Sequence, residues 1–302
     1  MPKHTTIPAY LKKGDRVLII SPSSKIDKKI ISGMRERLKR WGLIPIVGKH
    51  ATAKSGTFAG TIKQRLTDLQ FGLDNKKIKA IFCSRGGFGA IQLLDNIDLR
   101  KFLKHPKWVI GYSDITALHS LVTNSGIASL HAPMARQFAL SSEYDLSIEF
   151  TKKILFGDST HYIIPSHKYN HKGVAKGILV GGNLTVIQSL LATEYIIKSE
   201  NIILFIEDTN ISANQVERLL FSILHHSSLS TIKAIIIGEF CFDYPVEGDF
   251  CKINERIQQL VKDLKIPIVY NFPVGHGQFN YPLICGIQAE ITVKKGRVDL
   301  IF

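Results

Sequence analysis

The chain has 302 residues, 45% of them hydrophobic and 21% charged, a length and apolar content that predict one large or two ordinary domains with ample core. It contains no run of about 18 uninterrupted apolar residues, which excludes a spanning helix. Lys and Arg outnumber Asp and Glu by 39 to 25, and most of the excess falls in residues 1–150, where 24 basic residues face 11 acidic ones.

Strand-like runs alternate with helical patterns through the first 140 residues. Arg16–Ile20, Ile44–Val47, Ala80–Cys83 and Trp108–Ile110 read as strands, and residues 28–41, 63–73, 89–95 and 115–125 as helices. That alternation predicts a parallel, doubly wound α/β sheet. The third strand runs into Ser84-Arg-Gly-Gly-Phe-Gly89. Such a turn can cradle phosphate, but it lacks the third glycine of a dinucleotide fingerprint and no Walker lysine follows. Arg85 can meet a substrate carboxylate bidentately or make a structural salt bridge. The fourth strand reaches Gly111 and the polar corner Tyr112-Ser113-Asp114, after which Ile115, Leu118, Leu121 and Val122 recur at helical spacing. A strand that turns sharply into a helix exposes the corner hydroxyl and offers an amide to an oxyanion, as a nucleophilic serine needs. Ile115 stands where the usual elbow pattern has a glycine. The alternative is that Ser113 or Asp114 merely caps the helix.

Ser141 to Asn170 is polar and irregular, so the expected division is an N-terminal domain over 1–145, a linker over 146–170 and a C-terminal domain over 171–302. Beyond it, Lys176–Val180, Ile202–Ile206 and Lys233–Ile237 read as strands, with helices over 213–225 and 252–264. In the tail, Ala289–Val293 and Arg297–Ile301 form a hairpin pattern around Lys294-Lys-Gly296. The run Asn201–Ile206 ends in Glu207-Asp208, and Ile266–Tyr270 is followed by Asn271-Phe-Pro-Val-Gly275 and His276-Gly277. A serine, a carboxylate and a histidine thus each lie at or just past the C-terminal end of an apolar run, where α/β sheets bind ligands. Imidazole has the intrinsic pKa of a base for serine, and a carboxylate fixes its tautomer. Strand alternation lets only one of Glu207 and Asp208 face the histidine. Glu207 as a surface carboxylate and His276 as a turn residue remain alternatives.

Four motifs, read together, resemble those of the serine LD-carboxypeptidases, the family that includes the microcin self-immunity peptidases. They are the Arg-Gly-Gly-aromatic-Gly loop at 84–89, the nucleophile segment Gly111-Tyr-Ser-Asp-Ile-Thr116, Gly181-Gly-Asn-Leu184, and the acid and base segments Phe205-Ile-Glu-Asp208 and Gly275-His-Gly277. Lys13-Gly-Asp-Arg-Val-Leu-Ile-Ile-Ser-Pro22 also fits the family's first strand, and the match runs in order from about residue 10 to the C-terminus. The resemblance implies a flavodoxin-like N-terminal domain and a C-terminal α/β domain with barrel-like character. It implies Ser113 as nucleophile, His276 as general base and acid, and Glu207, with Asp208 as its rival, as the orienting carboxylate. Backbone amides near Gly87 and of Asp114 would form the oxyanion hole, glycine permitting the required peptide orientation. Asn183 and Arg85 would contact substrate, and no cofactor or metal is expected. Three departures bear on the pocket: His131-Ala-Pro133 replaces His-Gly-Pro, Gln92 replaces a common arginine, and Ile284-Cys285 replaces a proline-containing pair.

By that resemblance the reaction is removal of a terminal D-amino acid, typically D-alanine, from the L-centre of diaminopimelate or lysine in a murein tetrapeptide, by a cytoplasmic homodimer. The same triad would serve an immunity-type peptidase that cleaves aminoacyl-nucleotide conjugates. A reading from another class is a non-catalytic α/β module binding nucleotide or nucleic acid through the basic half and the glycine loop. Against nucleic acid, the basic residues read as the solvated faces of amphipathic helices, as in Lys28, Lys29, Arg35, Arg37, Lys39 and Arg40 between apolar Ile30, Ile31, Met34, Leu38 and Trp41. No aromatic-basic cluster accompanies them. A positive field would speed the arrival of anionic murein peptides. Cys83, Cys241, Cys251 and Cys285 are scattered and form no metal-type pair, so reduced cytosolic thiols are expected. Residues 1–6 lack the basic-then-apolar layout of a signal peptide, so no secretory leader is expected and the protein stays off the membrane.

Overall fold

The computed structural model describes residues 5–242, 248 and 252–302; residues 1–4, which open the leader reading, and Cys251 lie outside the described residues. The chain forms two compact units, one of residues up to Ser159 with Tyr281–Ile284, the other of Thr160–Asn280 with Cys285–Phe302.

The first unit runs β1 (Arg16–Ile20), α1 (Lys28–Arg40), β2 (Ile44–Val47), α2 (Ile62–Asp74), β3 (Ile78–Cys83), α3 (Arg100–Lys104), β4 (Trp108–Gly111), α4 (Thr116–Asn124), β5 (Ser129–His131), α5 (Ala135–Leu140) and α6 (Leu146–Phe156). Its sheet has the order β2-β1-β3-β4-β5, with a late strand, Leu283–Cys285, beside β5. β1 pairs in parallel with β2 and β3, β3 with β4, and β4 with β5. This is the flavodoxin-like order, in which the strand order reverses between β1 and β3 and ligands bind beyond the strand ends there. Four of the five β1 residues and all of β4 are buried, as expected of strands covered on both faces. The loops after β1 and β3 meet at the switch point: Ser21 Oγ and Ser84 Oγ share a 2.6 Å hydrogen bond, and Ser24 N–H donates to Gly86 O at 3.1 Å.

Two local expectations change. Residues 90–96 form a 3-10 helix, opened by Gly89 at φ 126° without a side-chain cap. The stretch 141–170, expected to be irregular, contains α6 and a strand, His161–Pro165. Asp145 caps α6 by accepting from Ile148 N–H at 3.0 Å, and Gly157 ends it in the left-handed region. The polar residues that hid this helix sit around a buried stripe of Ile148, Thr151, Ile154 and Leu155.

The second unit runs β6 (His161–Pro165), β7 (Gly173–Asn183), α7 (Leu184–Leu190), β8 (Ile202–Thr209), α8 (Ala213–Leu224), β9 (Ile232–Cys241), α9 (Ile253–Val261) and β10 (Ile268–Val269). After β11 (Leu283–Cys285), which joins the first sheet, come β12 (Gln288–Lys294) and β13 (Arg297–Ile301). The sheet order is β10-β9-β8-β7-β12-β13-β6. It is parallel from β10 to β7 and antiparallel from β7 to β6. The seven strands form an open mixed sheet rather than a closed barrel, and the free edge of β10 carries an antiparallel bridge from His171 to Ile268. Val180, Leu204, Ile206, Ile235 and Ile237 pack under Val216, Leu220, Ile223 and Ile257. β8 is buried from Ile202 through Asp208, so its two carboxylates are held inside the fold.

Candidate active site

β4 leads into α4 through a tight corner, a 3-10 turn over Ser113–Ile115. Ser113 adopts φ 63°; the other described non-glycine residues with positive φ are Asn201, Asn210 and Asn271. Asparagine tolerates that region and serine does not, so Ser113 carries about 1–3 kcal/mol of backbone strain that the surrounding fold must impose. Gly111 makes room for the corner, since a Cβ there would lie 2.9 Å from Ile115 Cγ1 and 3.0 Å from Cys83 Cβ. Ile115 therefore fills the place of the absent elbow glycine by packing over Gly111. Neither Ser113 nor Asp114 caps the helix. Asp114 is buried, and its carboxylate accepts from Ala90 N–H at 2.8 Å, fastening the end of the glycine loop to the corner. Burial pushes its pKa up.

The corner is also held from behind, by residues the sequence reading passed over. Gly111 O accepts from Ala132 N–H at 3.1 Å and lies 2.8 Å from His119 Nε2, while His119 Nδ1 lies 2.9 Å from Ser129 Oγ. Burial pushes the His119 pKa down to about 4, so the ring is neutral near pH 7. A carbonyl only accepts, so Nε2 holds the proton and Nδ1 accepts from the Ser129 hydroxyl. A depressed histidine pKa stabilises the fold above the unfolded value of 6.5, and that stability is lost as pH falls toward about 4. The loss is about 3 kcal/mol over this window. In His119→Gln, which keeps a donor but does not titrate, the slope of urea midpoint against pH between 4 and 6.5 should fall by one proton. An unchanged slope would remove His119 from this account.

The glycine loop lies directly against the serine. A Cβ at Gly86 would fall 2.8 Å from Ser113 Cβ, 2.9 Å from its Oγ and 3.2 Å from Asp114 N. Gly87, at φ 95°, abuts Ser24, whose hydroxyl accepts from Phe88 N–H at 3.1 Å. Beneath the loop, buried Arg65 donates to Pro22 O and Gly89 O, each at 2.8 Å, and to Gln92 Oε1 at 2.5 Å. Gln92 thus supplies an acceptor where an arginine would oppose a second guanidinium. Arg85 is exposed and donates to Lys25 O at 2.7 Å, a backbone partner rather than a carboxylate among the described residues.

In the second unit, Glu207 and His276 form a pair: His276 Nδ1 lies 2.6 Å from Glu207 Oε2, with the carboxylate fully buried. Nδ1–H donates to the carboxylate, leaving Nε2 to hold the lone pair of the neutral ring. Burial pushes the Glu207 pKa up, and the His276 ring and an Asn183 hydrogen bond pull it back. Gly275 is required by this contact: at φ 117°, a Cβ there would lie 2.7 Å from Glu207 Cβ and 2.9 Å from its Oε2. Asp208 points elsewhere. It accepts from Asn183 Nδ2 at 2.7 Å, Thr185 N–H at 2.9 Å, Thr185 Oγ1 at 2.7 Å and Thr209 N–H at 2.8 Å. Asn183 is buried and caps α7 by accepting from Val186 N–H at 3.1 Å, so its amide is largely engaged within the fold. Cys83 is a buried free thiol, and burial pushes its pKa up, which leaves it inert. No helix among the described residues is long and apolar enough to cross a membrane.

Comparisons with known proteins agree in both units. Residues 17–132 match the LD-carboxypeptidase N-terminal domain and residues 176–291 its C-terminal domain. The chain is 32% identical to the "Probable murein peptide carboxypeptidase" of Bacillus subtilis, over 94% of this chain and 91% of that protein. It is 30% identical to the murein tetrapeptide carboxypeptidase of Pseudomonas aeruginosa, over 88% of this chain and 89% of that one. Its fold is similar to that of the microcin C7 self immunity protein MccF in complex with aspartyl sulfamoyl adenosine, with a TM-score of 0.87, 24% identity and 98% of each chain covered. The chain belongs to the LD-carboxypeptidase family and is a serine-type LD-carboxypeptidase, a hydrolase.

Proposed function

We propose that the enzyme removes the terminal D-alanine from a murein tetrapeptide by cleaving its amide to the L-centre of the third residue. The observation that carries this reading is the strained corner at Ser113, with the glycine loop pressed against its hydroxyl. The second support is the buried Glu207–His276 pair, the arrangement a serine's base requires. Ser113 Oγ attacks the scissile carbonyl carbon and its proton passes to His276 Nε2. The backbone amides of Gly87 and Asp114 receive the developing oxyanion. As the C–N bond breaks, His276 returns the proton to the departing amine of D-alanine. Water, activated by the same imidazole, then releases the acyl group. Arg85, exposed on the glycine loop, is the group offered to the substrate's carboxylate. The substrate class follows the relatives named for murein peptides.

A second reading keeps this chemistry and changes the substrate to an aminoacyl-nucleotide conjugate. Phe88 is 74% exposed on the same glycine loop and offers a ring for base stacking. Parallel assays on murein tetrapeptide and aspartyl sulfamoyl adenosine separate the two. Release of D-alanine as the faster reaction is expected, and cleavage of the adenosine conjugate alone transfers the assignment to the second reading. A serine-directed acylating probe should label Ser113 in the wild type and fail to label it in His276→Ala. Equal labelling of both would sink the assignment of His276 as base.

A further inference from the structure

His276 sits between two glycines, and a carboxylate presses on each. Gly275 faces Glu207; on the other side, a Cβ at Gly277 would collide with Oε2 of Glu239. Glu239 reaches this place through a bulge in β9. Ile206 of β8 pairs with Ile237, but Asp208 pairs with Phe240, so Gly238 and Glu239 together oppose the single residue Glu207. An extra residue of this kind breaks the alternation of a strand and re-aims the side chain at the bulge. Gly238 permits it, since a Cβ there would fall 2.5 Å from Val274 O and 3.1 Å from Ile206 O. The main chain of Glu239 is bound to the histidine loop by its N–H to Val274 O at 2.9 Å and a parallel bridge to Gly275. Its carboxylate accepts the N–H of Gln278. One residue therefore fixes the backbone on both sides of His276, at 274–275 through its main chain and at 277–278 through its side chain.

We propose that Glu239 is a positioning residue for His276, holding the loop 275–278 so that the imidazole keeps one working orientation. The proposal rests on the reading of His276 as the general base. Glu207 orients the ring from its Nδ1 side, and Glu239 fixes the peptide that carries it. A base displaced by about 1 Å loses roughly 100-fold in rate, so a lock on this peptide acts on turnover rather than on binding.

The test compares Glu239→Ala with Glu239→Gln in the full chain. Glutamine keeps an acceptor oxygen for the Gln278 N–H, and alanine keeps none. Amide exchange read by mass spectrometry over 275–280 should be about tenfold faster in the alanine variant and close to wild type in the glutamine variant. On murein tetrapeptide, the alanine variant should lose roughly 100-fold in kcat with KM unchanged, and glutamine should restore most of it. Should the alanine variant fail to fold, Glu239→Asp, which keeps the charge but falls one methylene short, carries the same expectation. Unchanged exchange overturns the proposal whatever the enzyme's substrate. Faster exchange with unchanged kcat reduces Glu239 to a stabilising contact and also overturns it. A loss in KM alone, confined to peptides with a side-chain ammonium, would make Glu239 a substrate-recognition residue instead. A wild type that releases no D-alanine removes the functional reading, while the exchange result still decides whether Glu239 holds the loop.

Discussion

Replacing Ser113 by alanine should cut the release of D-alanine by roughly 10⁴-fold or more, because what remains without the nucleophile is binding and the oxyanion amides alone. KM should change little, since the hydroxyl's contribution arises as the bond to carbon forms. The same position makes a second, thermodynamic claim. Ser113 holds φ 63° in a corner where a Cβ is unwelcome, and alanine keeps that Cβ. Glycine removes it. Ser113→Gly should therefore be as inactive as Ser113→Ala but unfold at a denaturant midpoint no lower than that variant's, with up to about 1 kcal/mol in its favour. An alanine variant with wild-type turnover would show that another group attacks. A glycine variant clearly less stable than the alanine one would show that the corner is not strained.

Much of the scaffold was legible because its signals are local. The apolar runs at 16–20, 44–47 and 108–110 coincide with β1, β2 and β4, and the polar corner after Trp108–Ile110 sits where a strand gives way to a helix. Strand alternation separated Glu207 from Asp208, and the two side chains do have different partners, His276 for one and Asn183 and Thr185 for the other. What was not legible depends on pairing. Glu239 follows an ordinary buried run, Ala234–Ile237, and a bulge has no composition of its own; only the offset between β8 and β9 brings its carboxylate to Gly277. His119 looks like one more polar residue in a short helix until Gly111 O and Ser129 are placed beside it. Arg65 reads as a surface charge on α2, yet it is 2% exposed and holds three acceptors beneath the glycine loop.

The two carboxylates at the end of β8 should separate activity from stability. Glu207→Gln keeps the volume and can still accept from His276 Nδ1–H through its carbonyl oxygen. It loses the charge that stabilises the imidazolium, and its NH₂ can favour the wrong tautomer, so turnover should fall by roughly 10³–10⁴-fold. Stability should not suffer. Burial disfavours the charged form of Glu207, the direction in which its pKa is pushed, so a neutral amide there relieves a cost. Asp208→Asn should do the reverse. Four groups converge on its two oxygens, two on each: an NH₂ in the place of Oδ1 meets the Asn183 and Thr209 N–H donors, and one in the place of Oδ2 meets the Thr185 N–H, while the Thr185 hydroxyl can turn to accept. The expected loss is about 2–3 kcal/mol of stability, read from the denaturation midpoint. Turnover per folded molecule should fall far less than in Glu207→Gln, since the Asp208 carboxylate bonds Asn183, Thr185 and Thr209 whereas that of Glu207 bonds the His276 ring. Both variants are to be assayed where circular dichroism shows them folded. If Asp208→Asn proves the inactive variant while Glu207→Gln turns over normally, the acid of the triad is Asp208, and the 2.6 Å contact between Glu207 and His276 is structural.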